Sequence, residues 1–266
     1  MVETEHGATP PIAVLCGDEA SRDRAAALAE RLGLHGGAVL GPGSDPEAGR
    51  LYLKASPQGA SLVRDGMEVA GDFSRLLPRL KQGALQRELL VKAARVKGVE
   101  RPRAVDATAG LGEDSLLLAA AGFEVTLCES DPVIAILLED ALARAAGDES
   151  LAHIAARMRL VEGDSRATLA ALAADDATRP DVVYLDPMFP GRTKSAAVKK
   201  KFQLIHGLER PCEPEAEESL MSAALAARPR KIVVKRPVKG PWLAGVKPSH
   251  AIAGKAVRYD CIVPPR

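Results

Sequence analysis

The run Val182-Val183-Tyr184-Leu185, followed by Asp186-Pro187-Met188-Phe189-Pro190, is the part of this sequence richest in chemistry. Its apolar residues predict a buried strand, and Asp-Pro ends that strand abruptly. The Asp186 carboxylate and the Pro187 carbonyl are two adjacent acceptors. They suit the two N–H groups of an amino nitrogen whose lone pair is delocalised into a ring. Held by acceptors, such a nitrogen becomes more tetrahedral and its lone pair is freed for attack. Phe189 offers a face for a planar ring, and stacking of this kind is worth about 1–3 kcal/mol. A base in a duplex first leaves its stack or is presented unpaired. The plainer alternative is a turn with Phe189 in the core.

A second run, Val105-Asp106-Ala107-Thr108-Ala109-Gly110-Leu111-Gly112-Glu113-Asp114-Ser115, reads as a strand, a glycine turn and a helix. Ligands of open α/β sheets sit beyond the carboxyl ends of the strands. Gly110 and Gly112 are expected to let the backbone approach such a ligand without a Cβ in the way. A tight turn with no ligand is the competing reading. Glu129 ends the next strand, nineteen residues after Gly110. An acid there accepts from both hydroxyls of a ribose, which points to a nucleoside-containing cofactor. The carboxylates Asp106, Glu113 and Asp114 would repel a pyrophosphate but suit a sulfonium and an ammonium group, so S-adenosylmethionine is favoured over a dinucleotide. Ser115 replaces the third glycine of the dinucleotide fingerprint. After the third strand, Asp164 is placed to accept from an adenine amino group, and Ser165 to cap the following helix or meet the cofactor.

Positive charge gathers beside the Asp-Pro loop. Arg192, Lys194, Lys199, Lys200 and Lys201 follow it without an acid, and Lys235-Arg236 closes a later strand on the same edge. Phosphate contacts of this kind position a nucleic acid without reading its sequence. From Ser219 to Tyr259 there are nine Lys or Arg and no Asp or Glu, whereas Glu209 to Glu218 holds five acids. The formal net charge of +1 averages over this segregation. A merely solvated basic face is the alternative.

Strand–helix alternation from Ala104 onward positions these groups. It predicts a parallel sheet with crossover helices. The expected strands are Ala104–Ala107, Glu124–Cys128, Met158–Val161, Val182–Leu185 and Lys231–Lys235. The expected helices are Asp114–Ala121, Pro132–Ala145, Ser165–Ala174 and Glu215–Ala227. Ala251–Ala253 and Val257–Val263 supply two last antiparallel strands. Before them, Leu76 to Lys97 reads as a basic helical stretch broken by Arg101-Pro102-Arg103. The first part, 1–74, reads as a small α/β appendage without catalytic residues, a lid or platform for the substrate; it includes a hairpin turning at Asp65-Gly66. The main domain is 75–266.

The composition is that of a globular protein. Hydrophobic residues are 47% and charged residues 27% of 266, while aromatics are only 3%, so Ala, Leu and Val must build the core. No apolar run reaches the roughly 18 residues of a membrane span. The start of the chain has no basic leader, so a cytoplasmic address is expected. Cys16, Cys128, Cys212 and Cys261 form no CxxC pair and no zinc-like spacing, so thiols without metal are expected. No Ser-His-Asp arrangement points to hydrolysis.

Together these motifs resemble a known family. Asp186-Pro187-Met188-Phe189 is similar to the Asp/Asn-Pro-Pro-Tyr/Phe motif of methyltransferases acting on exocyclic or amide nitrogens, with Met188 in place of the second proline. With Asp106-Ala107-Thr108-Ala109-Gly110-Leu111-Gly112, Lys194-Ser195-Ala196, Val198-Lys199-Lys200 and Val233-Val234-Lys235-Arg236-Pro237, it closely resembles the bacterial small-subunit ribosomal RNA methyltransferase J family. The likeness runs from about Glu88 to the C-terminus. Phe73 to Gln86 departs from the family's Gly-rich, His/Arg-containing segment. The resemblance implies a Rossmann-like class I S-adenosylmethionine-dependent methyltransferase fold, mostly parallel with an antiparallel C-terminal edge. It implies methylation of a guanine N2 amino group in 16S ribosomal RNA, naked or in the 30S particle. It assigns Glu113, Asp114, Glu129, Ser130, Asp164, Ser165 and Asp186 to the cofactor. The family often has Arg where Glu113 stands, so contact there runs through the backbone. Asp186, Pro187 and Phe189 are the expected catalytic residues. Arg192, Lys194, Lys199, Lys200, Lys235 and Arg236 are the expected RNA contacts. The rival readings are a DNA or protein-amide N-methyltransferase, a nicotinamide oxidoreductase and a non-catalytic RNA-binding module.

Overall fold

The computed structural model describes residues 12–34, 38–188, 204–205, 208 and 213–265. They fall into two compact units, one of the described residues up to Gly71 with Leu204, Ile205 and Leu208, the other of those from Asp72 to Met188 and from Glu213 onward.

The first unit is a five-stranded sheet. Its strands are β1 (Ala13–Cys16), β2 (Val39–Leu40), β3 (Tyr52–Ser56), β4 (Gly59–Arg64) and β5 (Met67–Val69), in the order β2-β1-β3-β4-β5. Helix α1 (Arg22–Arg31) buries Ala25, Leu28 and Ala29. The expected hairpin is present. Arg64 pairs with Met67, and Asp65 and Gly66 both take positive φ, 50° and 72°, as a two-residue turn of matching twist requires.

The second unit opens with three short helices, α2 (Leu77–Leu80), α3 (Gln82–Leu85) and α4 (Leu89–Ala94). This corrects the single helical stretch expected over Leu76 to Lys97. The chain leaves helical geometry at Lys81 (ψ 134°) and Glu88 (ψ 127°). Leu85 and Val91 pack with Leu117, whereas Leu76 and Leu90 join the main core, and the bends let one short segment serve both clusters.

Next come β6 (Arg103–Asp106), α5 (Glu113–Ala120), β7 (Glu124–Glu129), α6 (Pro132–Ala146), α7 (Ala152–Ala155), β8 (Met158–Glu162), α8 (Ser165–Ala173), β9 (Val182–Leu185), α9 (Pro214–Ala226), β10 (Lys231–Pro237), β11 (His250–Ala253) and β12 (Val257–Ile262). The seven strands lie in the order β11-β12-β10-β9-β6-β7-β8. β10, β9, β6, β7 and β8 are parallel, while β12 and β11 are antiparallel. The expected strands and larger helices are all present, with ends shifted by a residue or two.

Both faces of the sheet are covered, so its central strands are buried on both sides. Val182, Tyr184 and Val233 belong to the core that includes α4 and α5 residues. Val183, Leu185, Ile232 and Val234 belong to the core that includes α8 and α9 residues. This period-two alternation fixes which way each later residue of β9 and β10 points. The chain runs β6 to β8 in one direction and continues with β9 on the other side of β6, so the switch point lies between β6 and β9. Ligands of open α/β sheets bind outside the carboxyl ends at such a point. The described cysteines, Cys16, Cys128 and Cys261, are buried thiols. Among the described residues, no helix is long and apolar enough to cross a membrane.

Candidate active site

Three strand ends meet at the switch point. After β6 the chain passes through Ala107–Leu111 into Gly112, which starts α5 at φ 75°. A Cβ on Gly112 would lie 2.7 Å from Leu138 Cδ1 and 3.2 Å from Phe73 Cζ. Gly112 is therefore required by the core behind the turn. Gly110, at φ 54°, has nothing within 4 Å of where a Cβ would stand, and its backbone face is open.

Asp106 braces this turn from beneath. It is buried, accepting from Thr108 N–H at 3.1 Å and from the Ser115 hydroxyl at 2.6 Å. Burial pushes its carboxyl up to about 7, against the pull of those two donors and aided by the nearby charges of Asp114 and Asp186. Ser115, which stands in the third-glycine position, is thus a buried partner of Asp106.

Glu129 ends β7 and is buried. One of its oxygens accepts from Gly110 N–H at 2.8 Å, the other from Asp131 N–H at 2.9 Å. Burial raises its carboxyl, and the amides of Asp131 and Gly110 oppose that shift. Ser130 is exposed beside it. A carboxylate has about four acceptor sites, so Glu129 keeps capacity for hydroxyl donors.

Asp164 caps α8 by accepting from Arg166 N–H at 2.8 Å, and it pairs with the Arg166 guanidinium at 2.6 Å. Those contacts, the side-chain hydrogen bond with Arg166 foremost, hold its carboxyl below the ordinary range. Ser165 is the buried first residue of the helix, with Asp164 as its cap.

At the tip of β9, Asp186 N–H donates to Thr108 Oγ1 at 2.7 Å, tying the Asp-Pro loop to the glycine turn. Pro187 is buried and Met188 half-buried. The Asp186 carboxylate lies 2.8 Å from Lys235 Nζ, which also lies 2.6 Å from Asp114 Oδ2. Tyr184 donates its hydroxyl to the same Asp114 oxygen at 2.6 Å. Burial alone would raise the Asp114 carboxyl, but Lys235 and Tyr184 hold it below the ordinary range. Burial likewise opposes the Lys235 charge, yet Asp114 and Asp186 raise its pKa. Tyr184 and Tyr259 are shifted upward by burial and by the Asp114 charge.

Two expectations are corrected here. Lys235 is not an open cation at an entrance, because two carboxylates engage it. Arg236 is buried on the other face of β10, its guanidinium 2.8 Å from Glu217 of α9. Strand alternation sends adjacent residues to opposite faces, so Lys235 and Arg236 cannot line one surface together. Phe189, Arg192, Lys194, Lys199 and Lys200 lie outside the described residues, as does Cys212. Glu113 is the first, half-buried residue of α5. Sequence reasoning missed Thr108, Tyr184 and Tyr259. A tyrosine in a buried strand needs a partner for its hydroxyl, which was the available signal for Tyr184.

Known proteins are similar to this chain in sequence and fold. A family model described as "Putative SAM-dependent methyltransferase" matches residues 54–264. A protein of Thioalkalivibrio sulfidiphilus named ribosomal RNA small subunit methyltransferase J is 46% identical over 259 residues, 95% of this chain and 97% of that one. This chain belongs to the ribosomal RNA small subunit methyltransferase J family. A Pseudomonas aeruginosa relative of the same name is 42% identical over 238 residues, 87% of each chain. The crystal structure of a SAM-dependent methyltransferase from Neisseria gonorrhoeae matches with a TM-score of 0.72 and 31% identity, over 95% of this chain and 96% of that one. The likeness therefore extends well before Glu88, which corrects the narrower span read from motifs. The first sheet had offered no motif by which to recognise it.

Membership makes the chain an S-adenosylmethionine-dependent methyltransferase, and the site fits that cofactor. The buried Glu129 carboxylate keeps acceptor capacity at the rim of a turn whose Gly110 backbone is open. Both features suit a nucleoside bearing vicinal hydroxyls.

Proposed function

We propose that this enzyme methylates the exocyclic N2 amino group of a guanine in small-subunit ribosomal RNA. The observation that carries the reading is the junction of Asp186 and Thr108, which brings the Asp-Pro acceptors to the rim of the cofactor turn. The relatives' names supply the class of RNA. The choice of guanine N2 rests on the family resemblance and on the chemistry of an Asp-Pro acceptor pair.

When bound, S-adenosylmethionine supplies an electrophilic methyl group. Glu129 would hold its ribose hydroxyls, and the Gly110 backbone with the start of α5 its amino-acid end. Ser130 and Ser165 stand near enough in sequence to join this shell, and Asp164 would need Arg166 to give way before it could. The Asp186 carboxylate and the Pro187 carbonyl would accept hydrogen bonds from the two amino N–H groups and pyramidalise the nitrogen, and once the N–C bond forms the cationic nitrogen releases one of its protons to water. Fixed acceptors of this kind cost no reorganisation during reaction. Phe189 is assigned the stacking face, and Arg192, Lys194, Lys199 and Lys200 the phosphate contacts. Asp106 does not reach the ligand in this reading; it shapes the turn. A ribosomal substrate goes with a cytoplasmic address.

The test is transfer of a labelled methyl group to 30S subunits and naked 16S RNA from cells lacking this protein, followed by mass mapping. One N2-methylguanine is expected. Label on bulk DNA or on protein amides, with none on the RNA, overturns the reading.

A further inference from the structure

We propose that Lys235 is a positioning residue of the methyl transfer, a clamp that fixes the Asp186 carboxylate against the start of α5. The proposal rests on the reading of Asp186 as acceptor for the target amino group. Val234 of β10 pairs with Leu185 of β9, so Lys235 stands beside Asp186 where the two strands end. Its ammonium bridges Asp114 at 2.6 Å and Asp186 at 2.8 Å, with only 17% of the side chain exposed. Asp114 is itself anchored by the Tyr184 hydroxyl. The Asp-Pro loop is thus held twice, through its backbone by Thr108 and through its side chain by Lys235.

Without the ammonium, Asp114 and Asp186 would repel each other across the site. A phosphate role for Lys235 fits poorly. The ammonium is flanked by two carboxylates, so the trio carries net negative charge, and an RNA phosphate would have to displace one of them. Among the described residues, the groups facing Asp186 include Lys235 from β10, Asp106 from β6, Tyr184 from β9 and Tyr259 from β12, with Asp114 from α5 across the shared ammonium. Arg79 of α2 adds its charge to Asp114.

The experiment compares wild type, Lys235→Met, Asp114→Asn and Asp186→Ala on 30S subunits across pH and salt. Lys235→Met is expected to lower kcat about 100-fold while leaving KM for 30S within about threefold. The acid limb of its kcat profile moves to higher pH, because Asp186 has lost its neighbouring cation. Its salt dependence of KM stays that of wild type, and calorimetry finds S-adenosylhomocysteine bound within about threefold. Should Lys235→Met not fold, Asp114→Asn decides. As a clamp partner it lowers kcat about fivefold at unchanged KM. If Lys235 instead serves phosphate, Asp114→Asn lowers KM and steepens its salt dependence. That result overturns the proposal, as does a Lys235→Met enzyme with normal kcat and a shallower salt slope. An active, folded Asp186→Ala enzyme would sink the underlying reading; an inactive one beside a normal Lys235→Met sinks the clamp alone.

Discussion

At the carboxyl ends of the seven-stranded sheet, Asp106, Asp114, Glu129 and Asp186 are set against the ammonium of Lys235. At the amino ends, Arg103, Arg179, Arg228 and Arg230 line a cleft of about 750 Å³ together with Asp176 and Asp181. The cleft is conspicuous as a shape, and two of its four arginines are paired locally. Asp181 takes Arg103 N–H at 2.8 Å and Arg230 at 2.9 Å, and Arg179 pairs with the exposed Asp176 at 2.9 Å. The Arg179–Asp176 pair, at the surface, contributes at most about 1 kcal/mol. The carboxyl end is different in kind. Its acids are buried or half-buried and outnumber the bridging cation, so their protonation depends on one another. Groups perturbed in this way cluster at functional sites. The contrast teaches that in this fold a site is marked by the cost of its charges more than by the size of an opening.

The comparison breaks most visibly at Asp186. Asp186→Ala is expected to lower kcat/KM about 1,000-fold, the loss typical of a fixed polar group at a reacting centre. Its thermal unfolding midpoint should remain near wild type. Methyl incorporation into 30S subunits measures the first and calorimetry the second. A folded, fully active variant would remove the carboxyl end from the chemistry.

Asp106 gives the next largest effect, on stability. Its folded carboxyl holds a proton up to about pH 7, whereas the ordinary value is 3.8. Between these two the folded state binds more protons than the unfolded chain, so stability falls as pH rises through the window. The loss at its upper end is at most about 4 kcal/mol. Glu129 contributes with the same sign, since its carboxyl is also raised. Urea denaturation at pH 5 and pH 8 should show the wild type more stable at pH 5 from this source. Asp106→Asn, which cannot ionise, should flatten most of that difference. An unaltered pH slope in Asp106→Asn contradicts the assignment.

Much of this geometry was legible in the residues. Apolar runs closed by Asp-Pro or by glycine turns gave the parallel strands, and the glycine turn with Glu129 gave the cofactor rim. What was missed has definite physical causes. Reading Lys235 and Arg236 as one basic patch ignored the two-residue period of a strand, which puts one beside Asp186 and the other beneath α9. That Asp164 also caps its own helix and pairs with Arg166 was not legible, because a motif does not display such local partners. The breaks at Lys81 and Glu88 answer to two separate core clusters, and helix propensity alone does not encode them.

Glu129 sharpens the comparison on the side of binding. Glu129→Gln keeps the shape but turns an amide donor toward the backbone N–H groups of Gly110 or Asp131. Affinity for S-adenosylhomocysteine, followed by calorimetry, should fall about 10- to 100-fold, the range for losing a charge-assisted hydrogen bond with its partner left unmet. Unchanged affinity would mean that the cofactor's ribose is held elsewhere.

The smallest effect belongs to the amino end. Arg228 follows the last turn of α9 at φ 48°, and its N–H donates to Leu225 O at 3.0 Å. That is the position after a helix where glycine is preferred, because a Cβ is strained at positive φ. Arg228→Gly should relieve that strain, while glycine's greater freedom in the unfolded chain takes part of the gain back. The net expectation is stabilisation by about 0.5–1 kcal/mol, read from the urea midpoint, with methyl transfer to 30S subunits unchanged. Because Arg228 lines the cleft, the same variant also tests its silence in the reaction. A drop in turnover, or a rise in KM for 30S that tracks salt, would show that the cleft holds RNA and that both ends of the sheet serve the substrate.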